Sequence, residues 1–440
     1  MSPHISANSA ASVSGFPEED LREAGRNSSG YFAARLGQTL ERGRYCIMRK
    51  LGWGQYSSVW LARDFTENRF VALKILTSKA TEALSESADQ QSDEQRMLKK
   101  VADADPAHRG YRHHLAYIDA FDLKGPHGLH HCLVTEVLGF GMDFLRKLRD
   151  KGDTRIAPSI VKHVVRQVLL GLEYLHEECG IVHTDLKHDN ILFRPRDLHT
   201  IISHELSINP SITYDCGTEL NPSVIPVVSQ SLPLSIGAPI HEHDLDVVLA
   251  DLGHCALLVV PLGNAILRES LNAAHWISHH FQEQIQPFAL RAPEVLLGYP
   301  WSTPVDIWSL GCLINEWLTG GWLFEPTPEP MWSFEEDHLA RMTEAVDAHF
   351  EPSFLANCKR RDEYFNQEVH NSVLPSGAFA HFTEHKEPTW PLRRMLETYS
   401  ELGNDSEIEA TERFMKRCLQ LSPERRATAR ELIDDPWLAV

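Results

Sequence analysis

The sequence predicts an α+β chain: a small, mainly antiparallel sheet carrying one helix, followed by a larger, mainly helical part. Three observations predict it. Segments rich in β-branched and aromatic residues crowd residues 45–138. Polar breaks separate them, as between strands. From about Gly139 onward, apolar residues recur at helical spacing instead.

The elements follow in order. Residues 1–43 form an N-terminal extension rich in Ser, Ala and Gly, of which roughly the first 25 are expected to be mobile. "YCIMRKLG", "SSVWLARD" and "RFVALKIL" give strand, turn, strand, strand between Tyr45 and Leu76. Residues 86–101 read as a helix, and "HLAYIDAF" and "HCLVTEVL" as two further strands. Beyond Gly139, residues Ile160, Val164, Val165, Val168, Leu172 and Leu175 line one face of a helix. "TPVDIWSLGCLINEWLTG" is a second helix, with Thr303 as N-cap and Gly320 or Gly321 beyond its end. "EATERFMKRCLQL" and "TARELIDDPWL" close the chain as amphipathic segments. Two stretches interrupt this plan. Residues 195–246 hold six prolines, seven serines and one basic residue, Arg196; with no sustained period, they read as a largely irregular insert. Residues 256–273, "ALLVVPLGNAILRESLNA", are an atypical apolar insertion.

Composition narrows the function classes. No apolar run approaches eighteen residues, so no transmembrane helix is expected. The start, "MSPHISANSAASVSGF", lacks the basic and apolar regions of a secretory signal, and an intracellular chain is expected. The eight cysteines include no C-x-x-C pair and read as reduced thiols rather than disulfides or a zinc site. A net charge of −19 disfavours nucleic acid as a direct ligand, because phosphate binding needs a basic face. It suits a basic partner, or serves solubility alone.

The chemistry lies in an ordered set of short motifs. In "LGWGQYSS", Gly52 and Gly54 let a backbone approach phosphates closely, with Ser57 where a third glycine could stand. "VALK" places Lys74 on a strand, suited to gripping α- and β-phosphates, and Glu94 follows twenty residues later on a helix, where it can pair with that lysine. In "HTDLKHDN", Asp185 would orient a substrate hydroxyl, Lys187 would neutralise charge on the transferring group, and Asn190 would ligate a metal. "ADLG" offers Asp251 as the principal Mg²⁺ ligand, with Gly253 for flexibility, and "APE" follows at 292–294. Each piece alone is weak; the ordered set is hard to obtain by chance.

This set resembles the signature of eukaryotic protein kinases, over residues 44–440. The resemblance implies a two-lobed protein kinase fold, with an N-lobe at 44–138, a C-lobe at 139–440 that carries both inserts, and ATP and Mg²⁺ as cofactors. It adds Leu51, Val59, Ala72, Thr135, Glu136 and Leu138 to the ATP site, Thr135 as gatekeeper beside the adenine and Glu136–Leu138 as hinge. It also implies that Glu294 pairs with Arg426, and that Asp306 of "DIWSLG" holds the catalytic-loop backbone.

Finer features narrow the family. "LGWG", HTD, DLG, a step of 61 positions from Asn190 to Asp251, "GGWLFEP…EEDHLARMTEAV" and "SGYFAARLGQTLERGRY" resemble the SR-protein kinase (SRPK-type) family, particularly its fungal members. The resemblance implies phosphorylation of serines in the Arg-Ser repeats of splicing factors. HTD lacks the arginine that docks an activation-loop phosphate, so activity without that phosphorylation is expected. Residues 325–347 carry seven acidic residues against one arginine, Arg341. On a helix over 334–347, Asp337, Arg341 and Glu344 share a face, and Asp337 and Glu344 match two acidic positions of the family's substrate-docking groove; Gly321 stands at a third. A monomer in cytoplasm and nucleus, without membrane or direct nucleic-acid contact, is the implied setting. Two alternatives stay open: a LAMMER (Clk-like) kinase, which shares HTD, and a pseudokinase scaffold that binds basic partners without catalysis. The second arises because Ala292 stands 41 positions after Asp251, and 256–273, either a real insertion or a translated intron, stands between them.

Overall fold

The computed structural model describes residues 18–21, 29–85, 93–147, 152–214, 225–236, 241–254, 256–257, 285–327, 332–365, 379 and 390–439. Most of the first 25 residues and of the 256–273 insertion lie outside this set. Contacts divide the chain into two compact units: residues 1–103, 114–140 and 192–246, and residues 104–113, 141–191 and 247–440.

The first unit is built on strands β1 (Thr39–Leu40), β2 (Tyr45–Gly54), β3 (Ser57–Asp64), β4 (Arg69–Leu76), β5 (Tyr117–Gly125) and β6 (Gly128–Thr135), in the order β1-β2-β3-β4-β6-β5. All pairings are antiparallel. The period-2 pattern puts Ile47, Trp60, Val71, Leu73, Ile75, Cys132 and Val134 into one core cluster, as alternating strand positions require. A helix, Asp93–Asp103, buries Met97, Leu98 and Val101.

Residues 195–246, expected as a largely irregular insert, group with the sheet unit rather than with the helical one. They open with a helix, Leu198–Ile208, capped by the Asp197 side chain accepting from the Thr200 amide. Ile202 is buried with Leu61, Ala72, Val137 and Leu232, and Leu198 and Leu206 pack against the same cluster. Those i, i+4 and i+8 positions are an apolar stripe, but one short enough to be lost among the flanking prolines and serines. The insert is also stitched to β2: the Gln230 amide donates to Lys50 O at 2.9 Å, and Ser211 Oγ to Met48 O at 2.8 Å.

The second unit is helical. Pro158–Glu173 buries Val161, Val164, Val165, Val168, Leu169 and Leu172. Pro304–Thr319 is buried along nearly its whole length, ends on Gly320 in the left-handed region (φ 79°), and begins after Thr303, whose side chain makes no capping bond. Phe334–Val346, Asp405–Cys418 and Ala429–Ile433 follow, each opened by a side-chain cap from Ser333, Asn404 and Thr428 respectively. Ala256–Leu257 pair antiparallel with Ile181–Val182. No helix of the described residues is long and apolar enough to cross a membrane.

Candidate active site

In the sheet unit, register brings the nucleotide-binding candidates together. Lys74 sits between Val59 on β3 and Leu133 on β6, and Ala72 between Leu61 and Thr135. Lys74 Nζ reaches both oxygens of Glu94, at 2.8 and 2.7 Å. Glu94 is buried, so this ion pair fixes the ammonium at one place on the sheet. Gly52 pairs with Val59 and Gly54 with Ser57 across the β2–β3 hairpin. Neither glycine has a positive φ, and a Cβ added to either would meet nothing within 4 Å. The chain's own packing therefore does not require glycine here; open space over the hairpin is what a phosphate chain approaching the backbone needs.

Thr135 and Leu138 are buried, and Thr135 Oγ1 donates to Glu136 O at 3.2 Å. The Glu136 side chain is held by Arg194, which donates to both its oxygens at 2.8 and 2.9 Å, and by the Ala116 amide at 2.9 Å. Arg194 also donates to Asp246 at 3.0 Å. Burial opposes the guanidinium charge, but the bonds to Glu136 and Asp246 outweigh it and raise the Arg194 pKa. Sequence reasoning missed Arg194. It stands at the start of the insert and Asp246 at its end, so one side chain ties both ends to the segment that follows β6.

In the helical unit, Asp306 organises the loop that carries Asp185. Its carboxylate is fully buried and accepts from the His183 amide and the Thr184 amide, each at 2.8 Å, and contacts His176 Nε2 at 2.9 Å. Thr184 has φ 64°, a region a β-branched residue avoids at a cost of about 1–3 kcal/mol. The Asp306 bonds offset that strain. One residue on, Asp185 Oδ2 accepts from Lys187 Nζ at 2.7 Å and from Asn190 Nδ2 at 3.1 Å, and Asn190 Nδ2 also donates to Asp185 O at 2.9 Å. The Ala250 amide donates to Asn190 O at 3.0 Å, and His183 Nε2 meets Ala250 O at 3.2 Å. The residue before Asp251 is thus sewn to both sides of this loop. Asp251 itself takes a left-handed conformation (φ 62°) and is only partly buried. The Asp251 carboxylate and the Asn190 amide oxygen are hard oxygen donors of the kind Mg²⁺ prefers, so the residues present fit that ion.

The segment before "APE" is pinned by two residues that sequence reasoning also missed. Gln286 (φ 67°) donates to Val305 O at 2.9 Å and Ser309 Oγ at 2.8 Å, and accepts from the Ala292 amide at 3.0 Å. Arg291 donates to Ile285 O and Gln286 O, both at 3.0 Å. Glu294 and Arg426 form a fully buried two-bond pair at 2.6 and 2.9 Å.

The acidic segment differs from a face open to solvent. Asp337 is 1% exposed and its Oδ2 accepts from the Thr327 amide and from Arg341 Nε, each at 2.8 Å. Burial follows from its place in the first turn after the Ser333 cap, where the helix packs inward. Glu344 is half-buried, and Gly321 is exposed.

This fold and these two clusters define a protein kinase: the protein kinase domain model matches residues 45–207 and 247–438. The serine/threonine-protein kinase SRPK of Physarum polycephalum is 31% identical over 434 residues, covering 96% of this chain and 92% of that protein. Protein kinase dsk1 of Schizosaccharomyces pombe is 29% identical (93% of this chain, 83% of that one), and SRSF protein kinase 3 of Mus musculus is 28% identical (93% and 88%). The chain belongs to the SR-protein kinase (SRPK-type) family of serine/threonine protein kinases.

Proposed function

We propose that this chain transfers the γ-phosphoryl group of ATP to serines in basic, Arg-Ser-rich proteins such as splicing factors. The observation that carries the transfer chemistry is the convergence of Lys187 and Asn190 on the Asp185 carboxylate. Asp185, held by those two donors, aims its oxygens at the incoming serine hydroxyl and takes up its proton. Lys187 would shift from Asp185 to the transferring phosphoryl oxygens as charge builds there. Lys74, fixed by Glu94, grips the α- and β-phosphates, and the open faces of Gly52 and Gly54 admit them to the hairpin backbone. Leu51, Val59, Ala72 and Leu138 supply apolar contact for the adenine, beside Thr135 and the Glu136 backbone. Mg²⁺, when bound, neutralises phosphate charge; Asn190 and Asp251 would hold it.

Two further observations support the reading. Gln286 and Arg291 hold the segment before Ala292 by bonds within the chain, and HTD lacks the arginine that would dock a phosphate, in line with activity that needs no such modification. The relatives' names supply the substrate class, and the net charge of −19 suits a basic substrate. Docking through Asp337 and Glu344 then requires substrate arginine to compete with Arg341. Cytoplasm and nucleus are the proposed setting for that substrate class, with a monomer as the proposed working state.

The test is transfer of radiolabelled phosphate from ATP·Mg²⁺ to an eight-repeat Arg-Ser peptide, beside a Lys-Ser peptide and the Asp185→Ala protein. Arg-Ser labelling that vanishes in Asp185→Ala is expected. Equal labelling of both peptides would refute the arginine preference, and peptide binding without labelling would make the chain a scaffold.

A further inference from the structure

The stretch "SGYFAAR" precedes the kinase-domain match, which begins at residue 45. It runs as a strap whose alternate residues face two ways. Phe32 and Ala34 enter the main core of the sheet unit, whereas Tyr31 and Ala33 form a separate small cluster with Leu21. Gly30 fastens one end. It lies at φ 66°, its carbonyl accepts from the Ser78 amide at 2.8 Å, and a Cβ there would come within 2.1 Å of Ser78 Oγ. Further toward the N-terminus, Glu18 and Glu19 both bond the buried Lys50 ammonium on β2, and Glu18 also accepts from the Ser229 amide and hydroxyl, each at 2.8 Å.

The strap meets the glycine hairpin at one side chain. Tyr31 is 5% exposed, its ring stands edge-on to Trp53 with centroids 6.2 Å apart, and its hydroxyl lies 2.7 Å from Gly54 O and 3.0 Å from Gln55 O. The third carbonyl of the tip, Tyr56 O, accepts from the Thr77 amide at 2.9 Å. The tip has little packing of its own: Trp53 and Tyr56 are exposed, and Gly52 and Gly54 have open space above them. Such a hairpin would open locally at small cost unless its carbonyls were held. Burial, with Glu19 and Asp20 nearby, pushes the Tyr31 phenol up to about 12, so it stays a neutral donor.

We propose that Tyr31 is a positioning residue for the nucleotide: its hydroxyl, shared between the Gly54 and Gln55 carbonyls, fastens the glycine hairpin to the N-terminal strap and so preorganises it for the ATP phosphates. The proposal rests on the reading of the hairpin as the phosphate cover. A hairpin already ordered loses less freedom when ATP binds, which appears as affinity. One neutral hydrogen bond lost corresponds to about a two- to tenfold change in an equilibrium constant.

The test uses the full chain and Tyr31→Phe, which keeps the ring and removes the hydroxyl. Binding of a fluorescent ATP analogue with Mg²⁺, KM values for ATP and for Arg-Ser peptide, and hydrogen exchange of amides 53–57 are compared. The expected result is exchange faster by about two- to tenfold at the tip, with affinity and KM for ATP weakened by a similar factor and KM for peptide unmoved. Gly30→Ala, which pries the strap from Ser78, should act in the same direction. Unchanged tip exchange or unchanged nucleotide affinity in Tyr31→Phe would overturn the proposal. So would faster exchange spread evenly over the whole sheet with a fallen Tm, because Tyr31 would then be only a core residue. If the unaltered chain bound no nucleotide, the kinase reading would fall and the nucleotide role with it, while the exchange comparison would still decide whether Tyr31 fastens the hairpin.

Discussion

Replacing Asp306 by Asn changes one atom and should cost most of the catalytic rate. The carboxylate serves three donors: Oδ1 takes the Thr184 amide, and Oδ2 takes the His183 amide and His176 Nε2. An Asn side chain has one acceptor and one NH₂. The orientation that saves most bonds points its oxygen at His183 and His176, and turns the NH₂ against the Thr184 amide, donor against donor. The residue that loses its partner is then the strained one, with φ 64°. A buried amide left unsatisfied costs about 1–3 kcal/mol, and the strain at Thr184, no longer offset, adds a pull of similar size toward an ordinary conformation. Because Asp185, the proposed base, is the next residue, relaxation there moves it relative to Lys187 and Asn190. A loss of about 1.4–3 kcal/mol in the transition state is about ten- to 150-fold in kcat. Initial rates on the Arg-Ser peptide at saturating ATP would measure it, with near-UV circular dichroism and Tm to follow the fold. A kcat within about threefold of the unaltered chain would refute the reasoning. So would a loss fully explained by unfolding, because the effect would then not be local to the loop.

Three other predictions rest on separate contacts. Glu294→Ala leaves the Arg426 guanidinium buried without its carboxylate, and should lower unfolding stability by about 3–5 kcal/mol in urea titration; a change below about 1 kcal/mol would mean the pair is not a structural anchor. Arg341→Ala removes the arginine that occupies Asp337, and should lower KM for the Arg-Ser peptide by about two- to tenfold without altering KM for ATP; a higher peptide KM would show that Arg341 shapes the docking face rather than competing for it. His338 is packed against Phe288 and Phe324 with Arg291, Arg341 and Asp337 nearby, and burial, then Arg291, push it down to about 3. The unfolded chain therefore takes up a proton below about 6.5 that the folded chain refuses, and stability should fall as pH drops from there, by up to about 1.4 kcal/mol per pH unit from this group. His338→Leu should flatten the slope of denaturation midpoint against pH between about 6.5 and 4.5 by one proton, and an unchanged slope would exclude His338 as its source.

What the sequence made legible was whatever a short window fixes. The strands of the first unit and the Pro158–Glu173 and Pro304–Thr319 helices carry their periods in consecutive residues, and motif spacing singled out Lys74, Glu94, Asp185 and Asp251, of which the first two pair as that spacing implied. The Leu198–Ile208 helix was hidden by its surroundings, since Leu198, Ile202 and Leu206 carry their apolar signal inside a stretch dominated by proline and serine. Arg194 and Tyr31 were hidden for a different reason. Their partners stand 58 and 23 or more residues away, and nothing in the residue types says that a guanidinium will find the Glu136 carboxylate, or a phenol the tip of a hairpin.

Asp337 shows where the two kinds of information conflict. The i, i+4 spacing from Asp337 to Arg341 was visible and read as one face of a helix, and the structure has that face. Spacing cannot say whether a carboxylate on it is offered to a partner or already satisfied. Here a buried side chain, a backbone amide from Thr327 and the neighbouring arginine satisfy it within the chain. A buried carboxylate without a cation is costly, so Arg341 stabilises the chain by standing beside Asp337. If substrate docks here as proposed, the acidic segment is a site of exchange. An incoming arginine gains Asp337 only as Arg341 lets go, and the docking free energy is the difference between two similar ion pairs rather than the whole of one. Such a site favours a run of arginines, in which several weak exchanges add along one substrate, over any single basic residue.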